Sequence, residues 1–197
     1  VYWHHAVRSA TVMYMRLVSD ALDAGSLDAG SLAGFTDEAL LARLERDHPS
    51  PLLYGLRTRR LHKRSFECPA AQLSGDECEW IAEDRVLVAR VQQALEREMG
   101  LAPGDLLLDY PAKTQMLGLD MPVLRRDGTV VRLRAGGLRG AIDLPKLSEE
   151  LYRSARWLRV FTANRTKIPP EPLLKLLRKP AAEVRGMLDR GSRMIAE

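Results

Sequence analysis

Residues 2–23 carry the pattern that most constrains how this chain can fold. Apolar side chains recur there at helical spacing, at Ala6, Ala10, Met13, Tyr14, Leu17 and Ala21. A period near 3.6 residues places these side chains on one face of an amphipathic helix. We therefore predict one long helix over residues 2–23, with its apolar face packed against another part of the protein.

Two shorter helices and a strand are predicted in the next part of the chain. The near-repeat DAGSLDAGSL at residues 23–32 is rich in Gly and Ser, which indicates a loop. Thr36 then offers an N-cap, followed by two acidic residues, for a helix that ends near Arg46. A further helix is predicted after Pro51, and RLHKRSFE at residues 60–67 favours a strand.

A second long helix is predicted over about residues 75–99. The sequence SGDE at residues 74–77 fits a capping box, and Gly100 is a suitable C-terminal cap. The apolar residues between them keep helical spacing, so we expect this helix to be continuous.

Strand patterns dominate after Leu101. The sequence predicts a short strand in DLLLDY, a hairpin around Asp127-Gly128, a helix capped by Asp143 and a closing strand in WLRVFTA. Two more helices are predicted in the last 34 residues, at 164–197.

This order of elements predicts an α+β fold that is mainly helical, with a small antiparallel or mixed sheet and two packed helices. We divide the chain into helices at residues 1–60, a small α+β domain at residues 61–163 and a helical extension at residues 164–197. The extension is expected to pack on the α+β domain or on a partner.

The composition indicates a soluble globular protein, with 46% hydrophobic and 28% charged residues. No apolar run approaches the roughly 18 residues of a membrane span, and no signal peptide is visible. We therefore expect a cytoplasmic protein without a membrane partner. Cys68 and Cys78 lack the spacing of a zinc site and are interpreted as reduced thiols.

Motifs of familiar enzymes are missing from the sequence. RAGGLRG at residues 134–140 lacks the Lys-Ser/Thr pair or the third glycine of phosphate-binding loops. His4 and His5 are adjacent, and neighbours on a helix point about 100° apart, so they cannot easily share one metal ion. We interpret them as residues of a helix end or an interface.

A basic cluster stands out at residues 57–64, RTRRLHKR. Residues 1–50 contain 4 Lys and Arg against 7 Asp and Glu, whereas residues 51–75 contain 5 against 1. The cluster is either a solvated face or a site for an anionic partner. On a strand, Arg59 and Lys63 would point the same way on either side of Leu61, an arrangement that suits a polyphosphate and that Lys113 could join if the sheet brings it close.

Four segments in order resemble the HD-domain metal-dependent phosphohydrolases, over about residues 1–163. They are VYWHHAVRSATVMYMRLVSDAL, with the Tyr-x-His of the family, FTDEALLARL, LLYGLRTRRLHKR, with Arg-x-Leu-x-Lys, and GDLLLDYPAK. The likeness is strongest to the deoxynucleoside triphosphate triphosphohydrolase branch, in the portion C-terminal to the metal site.

This resemblance implies that the chain is the C-terminal part of a longer enzyme. In that branch the metal-binding His and Asp residues lie upstream of the Tyr-x-His helix, and no His-Asp dipeptide occurs in these 197 residues. The implied parent hydrolyses nucleoside triphosphates or related nucleotides with a divalent metal in its upstream HD core. Residues 1–60 would be the last helices of that HD-type domain, and this chain would supply no catalytic residue.

Seven site residues follow from the resemblance. Tyr2 matches the tyrosine that packs against the substrate sugar, and Trp3 stands beside it where the vertebrate enzyme has a polar residue. The nucleotide-activated members bind effector triphosphates at subunit interfaces. Positions of that effector site are matched by His4, Arg59, Lys63 and Lys113, and His5 stands where those members have a lysine. The implied partners are a nucleoside triphosphate, the upstream HD core and further copies of the chain.

Two other functions remain open from the sequence. One is a non-catalytic module that binds nucleotides or RNA, although aromatic residues are only 6% and none alternates with the cations of the basic cluster. The other is a pure oligomerisation domain, which would assemble without binding any nucleotide.

We predict that the isolated 197-residue chain neither hydrolyses nucleotides nor binds a catalytic metal, because its sequence shows no ligand set. The measurement is phosphate release from nucleoside triphosphates with divalent metal added. Metal-dependent release by the purified chain would contradict this prediction.

Overall fold

The computed structural model describes residues 4–112, 120–134, 136–138 and 143–195. These ranges contain α1 (His5–Asp23), α2 (Asp37–Asp47), α3 (Pro51–Arg57), β1 (Lys63–Pro69), α4 (Trp80–Glu83), α5 (Arg85–Glu98), β2 (Leu106–Asp109), β3 (Met121–Leu124), β4 (Val130–Leu133), α6 (Leu144–Ala155), β5 (Trp157–Thr162), α7 (Pro170–Leu177) and α8 (Ala181–Asp189). The predicted α+β class is confirmed. None of the described helices has both the length and the apolar character that a membrane crossing requires.

The strands form two separate antiparallel sheets. Three of them pair in the order β1-β5-β2, so β5 is the central strand. The other two, β3 and β4, form a hairpin ribbon around the predicted Asp127-Gly128 turn, where Gly128 has a φ of 81° that glycine adopts without strain. The hairpin is confirmed, and it lies outside the three-stranded sheet.

The three-stranded sheet separates two apolar cores. Leu158 and Val160 of β5 pack with residues of α5, α7 and α8 on one face. Leu107 of β2 and Phe161 of β5 pack on the other face with residues of α1, α2 and α3. All four residues of β2 are buried, because successive side chains of a strand point to opposite faces and both faces are covered.

The long first helix is confirmed, and it packs closely on α3. Met13 and Leu17 of α1 are fully buried in the core that α1 shares with α2 and α3. A Cβ atom at Gly55 would lie 2.9 Å from Cε of Met13 and 3.0 Å from the Arg60 carbonyl oxygen. The absence of a side chain at Gly55 therefore permits this approach of the two helices.

The prediction of one continuous helix over residues 75–99 is wrong. Ser74 N does donate to Glu77 Oε2 at 3.0 Å, which is one of the two bonds of a capping box. The following residues nevertheless form turns, and helix α4 ends before Asp84. The Asp84 side chain accepts a hydrogen bond from Leu87 N at 2.9 Å and caps α5, so the carboxylate competes with continuation of the helix.

The strand predicted from residue 60 begins only at Lys63. Arg59 lies in the turn after α3 with a φ of 58°, in the left-handed region. Arg60 N closes this turn by donating to the Gly55 carbonyl at 2.8 Å. The predicted placement of Arg59 and Lys63 on one strand is therefore wrong, because Arg59 belongs to the turn that follows α3.

The division of the chain near residue 60 stays a prediction. Leu107 and Phe161, which follow that boundary, pack in the same core as the helices before it.

His62 connects the two sides of this boundary. Its ring Nε2 donates to the Gly104 carbonyl at 2.9 Å, and its own carbonyl accepts from Ser9 Oγ at 2.9 Å. Burial lowers the pKa of the His62 imidazole, while the Gly104 hydrogen bond and Asp105 act in the opposite direction. Native packing thus favours the neutral ring.

We predict that this histidine makes folding stability sensitive to acid. The unfolded chain protonates His62 near pH 6.5, above the pKa in the folded protein, so the free energy of unfolding falls as the pH drops through that value. His62→Gln retains a donor for Gly104 and does not titrate. Urea unfolding between about pH 7.5 and about pH 5 should show a smaller loss of stability for the variant than for the wild type. Equal losses in both proteins would contradict the prediction.

Candidate anion-binding site

The first turn of α1 presents two exposed histidines. His4 is the N-cap residue, and its Nδ1 accepts a hydrogen bond from Ala6 N at 3.3 Å. The His4 and His5 rings are in contact, with centroids 4.3 Å apart. One ring nitrogen of His4 is therefore committed to the helix end, in agreement with its interpretation as a helix-end residue.

Two contacts attach this end of α1 to the sheet. Arg8 donates to both carboxylate oxygens of Asp109 at the end of β2, at 3.0 and 2.5 Å. Ser9 donates to the carbonyl of His62, immediately before β1. The start of α1 therefore lies over the sheet between the end of β2 and the start of β1.

A row of alternating charges crosses the three strands beneath α1. Arg159 of β5 has Glu67 of β1 and Asp109 of β2 as its two cross-strand partners. Glu67 Oε2 lies 4.0 Å from Arg159 Nε and accepts from Arg64 Nη1 at 2.7 Å. With Arg8 bound to Asp109, these five residues form a continuous chain of charges that we call the charged row.

The electrostatic effect of the charged row is visible in two pKa values. Burial lowers the pKa of Arg159, while Asp109 and Glu67 raise it and Arg8 and Arg64 lower it further. Burial also lowers the pKa of His5, and His4, Arg64 and Arg159 act in the same direction against Glu67. The row contains three cations and two carboxylates, so its residual charge is positive, and its arginines add to the effect of burial in disfavouring protonation of His5.

Three of the five cations of the basic cluster have internal partners. Arg57 donates to Glu38 at 2.7 and 2.9 Å and to Glu45 at 3.5 Å. The Arg60 guanidinium lies 5.7 Å from the centre of the Tyr54 ring, and Arg64 belongs to the charged row.

Arg59 and Lys63 are the remaining two cations of this cluster. Both are exposed, and neither forms an ion pair with any residue in the described ranges. They are therefore the members of the basic cluster that are available to a ligand.

The structure brings together only part of the predicted site. His5 lies close to Arg64 of β1, whereas Lys63 pairs with Thr162 and therefore points to the face of the sheet opposite Arg159. Arg59 lies in the turn that precedes β1. Tyr2, Trp3 and Lys113 fall outside the described residues.

The segment that leads to Lys113 is anchored by a buried arginine. Arg156 is fully buried and donates to Glu79 at 2.6 and 2.9 Å. Its guanidinium carbon lies 3.3 Å from the centre of the Tyr110 ring, and its Nε donates to the Pro111 carbonyl. These contacts join the end of β2 to the start of α4.

Sequence reasoning missed the charged row. Arg159 and Asp109 each interrupt an apolar strand, in WLRVF and LLLDY. A charged residue inside such a run is a usable signal, because a buried charge has to find a partner. The identity of the partner requires the strand register, which the sequence does not show.

Comparison with known proteins identifies the family of the chain. The model of a family described as HD associated region matches residues 1–136. The chain belongs to the HD-associated region family. Searches of curated proteins and of solved structures found no match. Membership of the HD-associated region family links the chain to HD-domain proteins, as the resemblance implied.

We predict that the negative charge of Asp109 is essential to this part of the fold. Its side chain is only 2% exposed, so Asp109→Asn removes the ion-pair partner of Arg8 and one of the two carboxylates beside Arg159, and it should cost roughly 3–5 kcal/mol in the free energy of unfolding. The matched control is Asp189→Asn, which removes the exposed partner of Arg90 and should cost less than about 1 kcal/mol. Equal losses in urea unfolding would show that the charged row contributes no more than a surface ion pair.

Proposed function

We propose that this chain is the accessory region of an HD-superfamily phosphohydrolase that acts on nucleoside triphosphates. We further propose that the start of α1 and the start of β1 bind the triphosphate group of a nucleotide effector. The observation that carries the proposal is the pair of exposed cations, Arg59 and Lys63, which have no ion-pair partner among the described residues and lie on either side of His62, whose carbonyl binds Ser9 of α1. Membership of the HD-associated region family supports the link to an HD core.

The N-terminus of α1 adds to the attraction for an anion. Aligned peptide dipoles give a helix N-terminus a partial positive charge of roughly half an elementary charge. The histidines lie at this end, and the positive charged row lies beneath it. A triphosphate at this surface would therefore meet a favourable potential from the backbone as well as from side chains.

The side chains differ in what they offer to a phosphate. Arg59 supplies a planar fork that binds two oxygens, and Lys63 supplies a mobile point charge. Partial burial and the neighbouring cations lower the pKa of His5, which favours its neutral, hydrogen-bonding form. Bound phosphate would favour its protonated form, so His5 strengthens binding as the solution becomes more acidic.

The remaining roles concern the parent enzyme. Tyr2 and Trp3 would form one wall of the substrate pocket, and Lys113 would complete the effector site at a contact between subunits of a homo-oligomer. The described residues contain no group of three or more His, Cys, Asp or Glu side chains that could hold a metal ion. The divalent metal of the proposed enzyme would lie in its upstream HD core, as the resemblance implies, and no metal step is assigned to this chain.

We predict that Arg59→Asn and Lys63→Ala each weaken binding of dGTP and of inorganic tripolyphosphate by roughly five- to tenfold. Asparagine is the replacement at residue 59 because it tolerates the left-handed backbone found there. The measurement is calorimetric titration of the full 197-residue chain. Arg57→Gln is the matched control, since Arg57 is already paired with Glu38 and should change affinity less than about twofold.

Unchanged affinity in both variants would refute the effector site. A loss of the same size in Arg57→Gln would show that only the overall charge of the basic cluster matters. Binding of dGMP as tight as binding of dGTP would exclude recognition of the triphosphate group.

A further inference from the structure

A cleft of about 350 Å³ lies between α1 and the α4–α5 segment, over the end of β2. Its position on α1 is different from that of the proposed effector surface. Arg16, which lines the cleft, follows His5 by 11 residues, which corresponds to roughly 16 Å along a helix. The cleft is large enough for a small organic molecule.

The walls of the cleft combine apolar surface with excess positive charge. Apolar side chains from four elements, α1, α4, α5 and β2, line it, among them Val12, Leu22, Ile81, Val88 and Leu108. The charged residues of its lining are Arg8, Arg16, Arg85 and Asp109. Three cations against one carboxylate favour a ligand that carries negative charge, and the apolar walls favour one with a hydrocarbon body.

The three arginines differ in how many of their guanidinium N–H donors have hydrogen-bond partners. Arg8 is bound in a bidentate manner by Asp109. Arg16 has a side chain only 9% exposed, and its Nε donates to Asp20 at 2.7 Å. Its Nη1 is buried and has no hydrogen-bond partner within the described ranges.

The nearby Glu96 carboxylate does not satisfy this donor. Glu96 is attracted electrostatically to Arg16, but its Oε1 accepts from Gly104 N and Leu106 N at 2.8 and 3.1 Å. A buried donor without an acceptor is unfavourable, so the Arg16 guanidinium beside the cleft is incompletely compensated and favours an anionic ligand electrostatically. Arg85 is exposed on the facing wall and forms no ion pair with a described residue.

We propose that this cleft binds a small amphipathic anion, a hydrocarbon chain or ring that ends in one carboxylate or phosphate group. The anionic group accepts hydrogen bonds from Arg16 and Arg85, and the hydrocarbon body packs on the apolar walls. The positive charge of the cleft wall distinguishes this occupant from a protein helix, because an apolar helix face would bring no negative charge to Arg16 and Arg85. The site goes beyond the proposed effector surface and does not depend on it.

The test is calorimetric titration of the full 197-residue chain with octanoate, octyl phosphate, octanol and inorganic phosphate. We expect octanoate, octyl phosphate or both to bind at least about tenfold more tightly than octanol or inorganic phosphate. The comparison of octanoate with octyl phosphate identifies the preferred head group. Methyl signals of Val12 and Val88 in NMR spectra should shift on binding, which locates the ligand in the cleft.

Substitutions of the two arginines test whether their charge contributes to ligand binding, apart from any effect on folding. Arg16→Met and Arg85→Met keep apolar stems and should each weaken binding by about tenfold. Arg43→Met is the control, since Arg43 pairs with Asp47 on α2 away from the cleft and should leave affinity unchanged. If Arg16→Met does not fold, the exposed position of Arg85 makes Arg85→Met the deciding variant.

Three results would overturn the proposal. Octanol binding as tightly as octanoate and octyl phosphate would indicate an apolar groove that suits a protein segment. Affinity unchanged in Arg85→Met and in any folded Arg16→Met protein would exclude the two arginines. Failure of both octanoate and octyl phosphate to bind would exclude this class of ligand.

Discussion

The burial of both faces of the central strand β5 is the constraint on which the other features depend. Leu158 and Val160 face one core and Phe161 faces the other, so Arg159 is carried into the interior on the same face as Phe161. A charge in that position is tolerated only with compensating partners. Glu67 and Asp109 stand on either side of Arg159 in the sheet, and Asp109 in turn binds Arg8 of α1.

Helix α1 forms part of both proposed binding surfaces. Its N-terminal turn lies at the proposed effector surface, and its middle turns form one wall of the cleft. The bond from Arg8 to Asp109 lies between them and sets the position of the helix over the sheet. The second buried arginine, Arg156, has a similar role on the other side of β2, where it joins Pro111 to Glu79.

The elements that could be predicted from the sequence are those with local causes. The Thr36 cap begins α2 by accepting from Ala39 N, and Asp127-Gly128 closes the hairpin, because both signals act within a few residues. The break at Asp84 was not predicted, since a capping side chain there competes with a helical pattern that continues through it. The start of β1 was misplaced because the turn after α3 extends to Arg60, whose N–H donates to the Gly55 carbonyl, and β1 begins only at Lys63.

The sequence by itself determined the α+β class, the resemblance to HD-domain enzymes and the concentration of five cations in residues 57–64. Only the tertiary structure decided which of those cations are available. Arg57 is paired with Glu38 and Arg64 leads into the charged row, whereas Arg59 and Lys63 extend into solvent. The physical reason is that partners such as Arg8 and Asp109 lie about a hundred residues apart in sequence, and only the packing of α1 on the sheet brings them together.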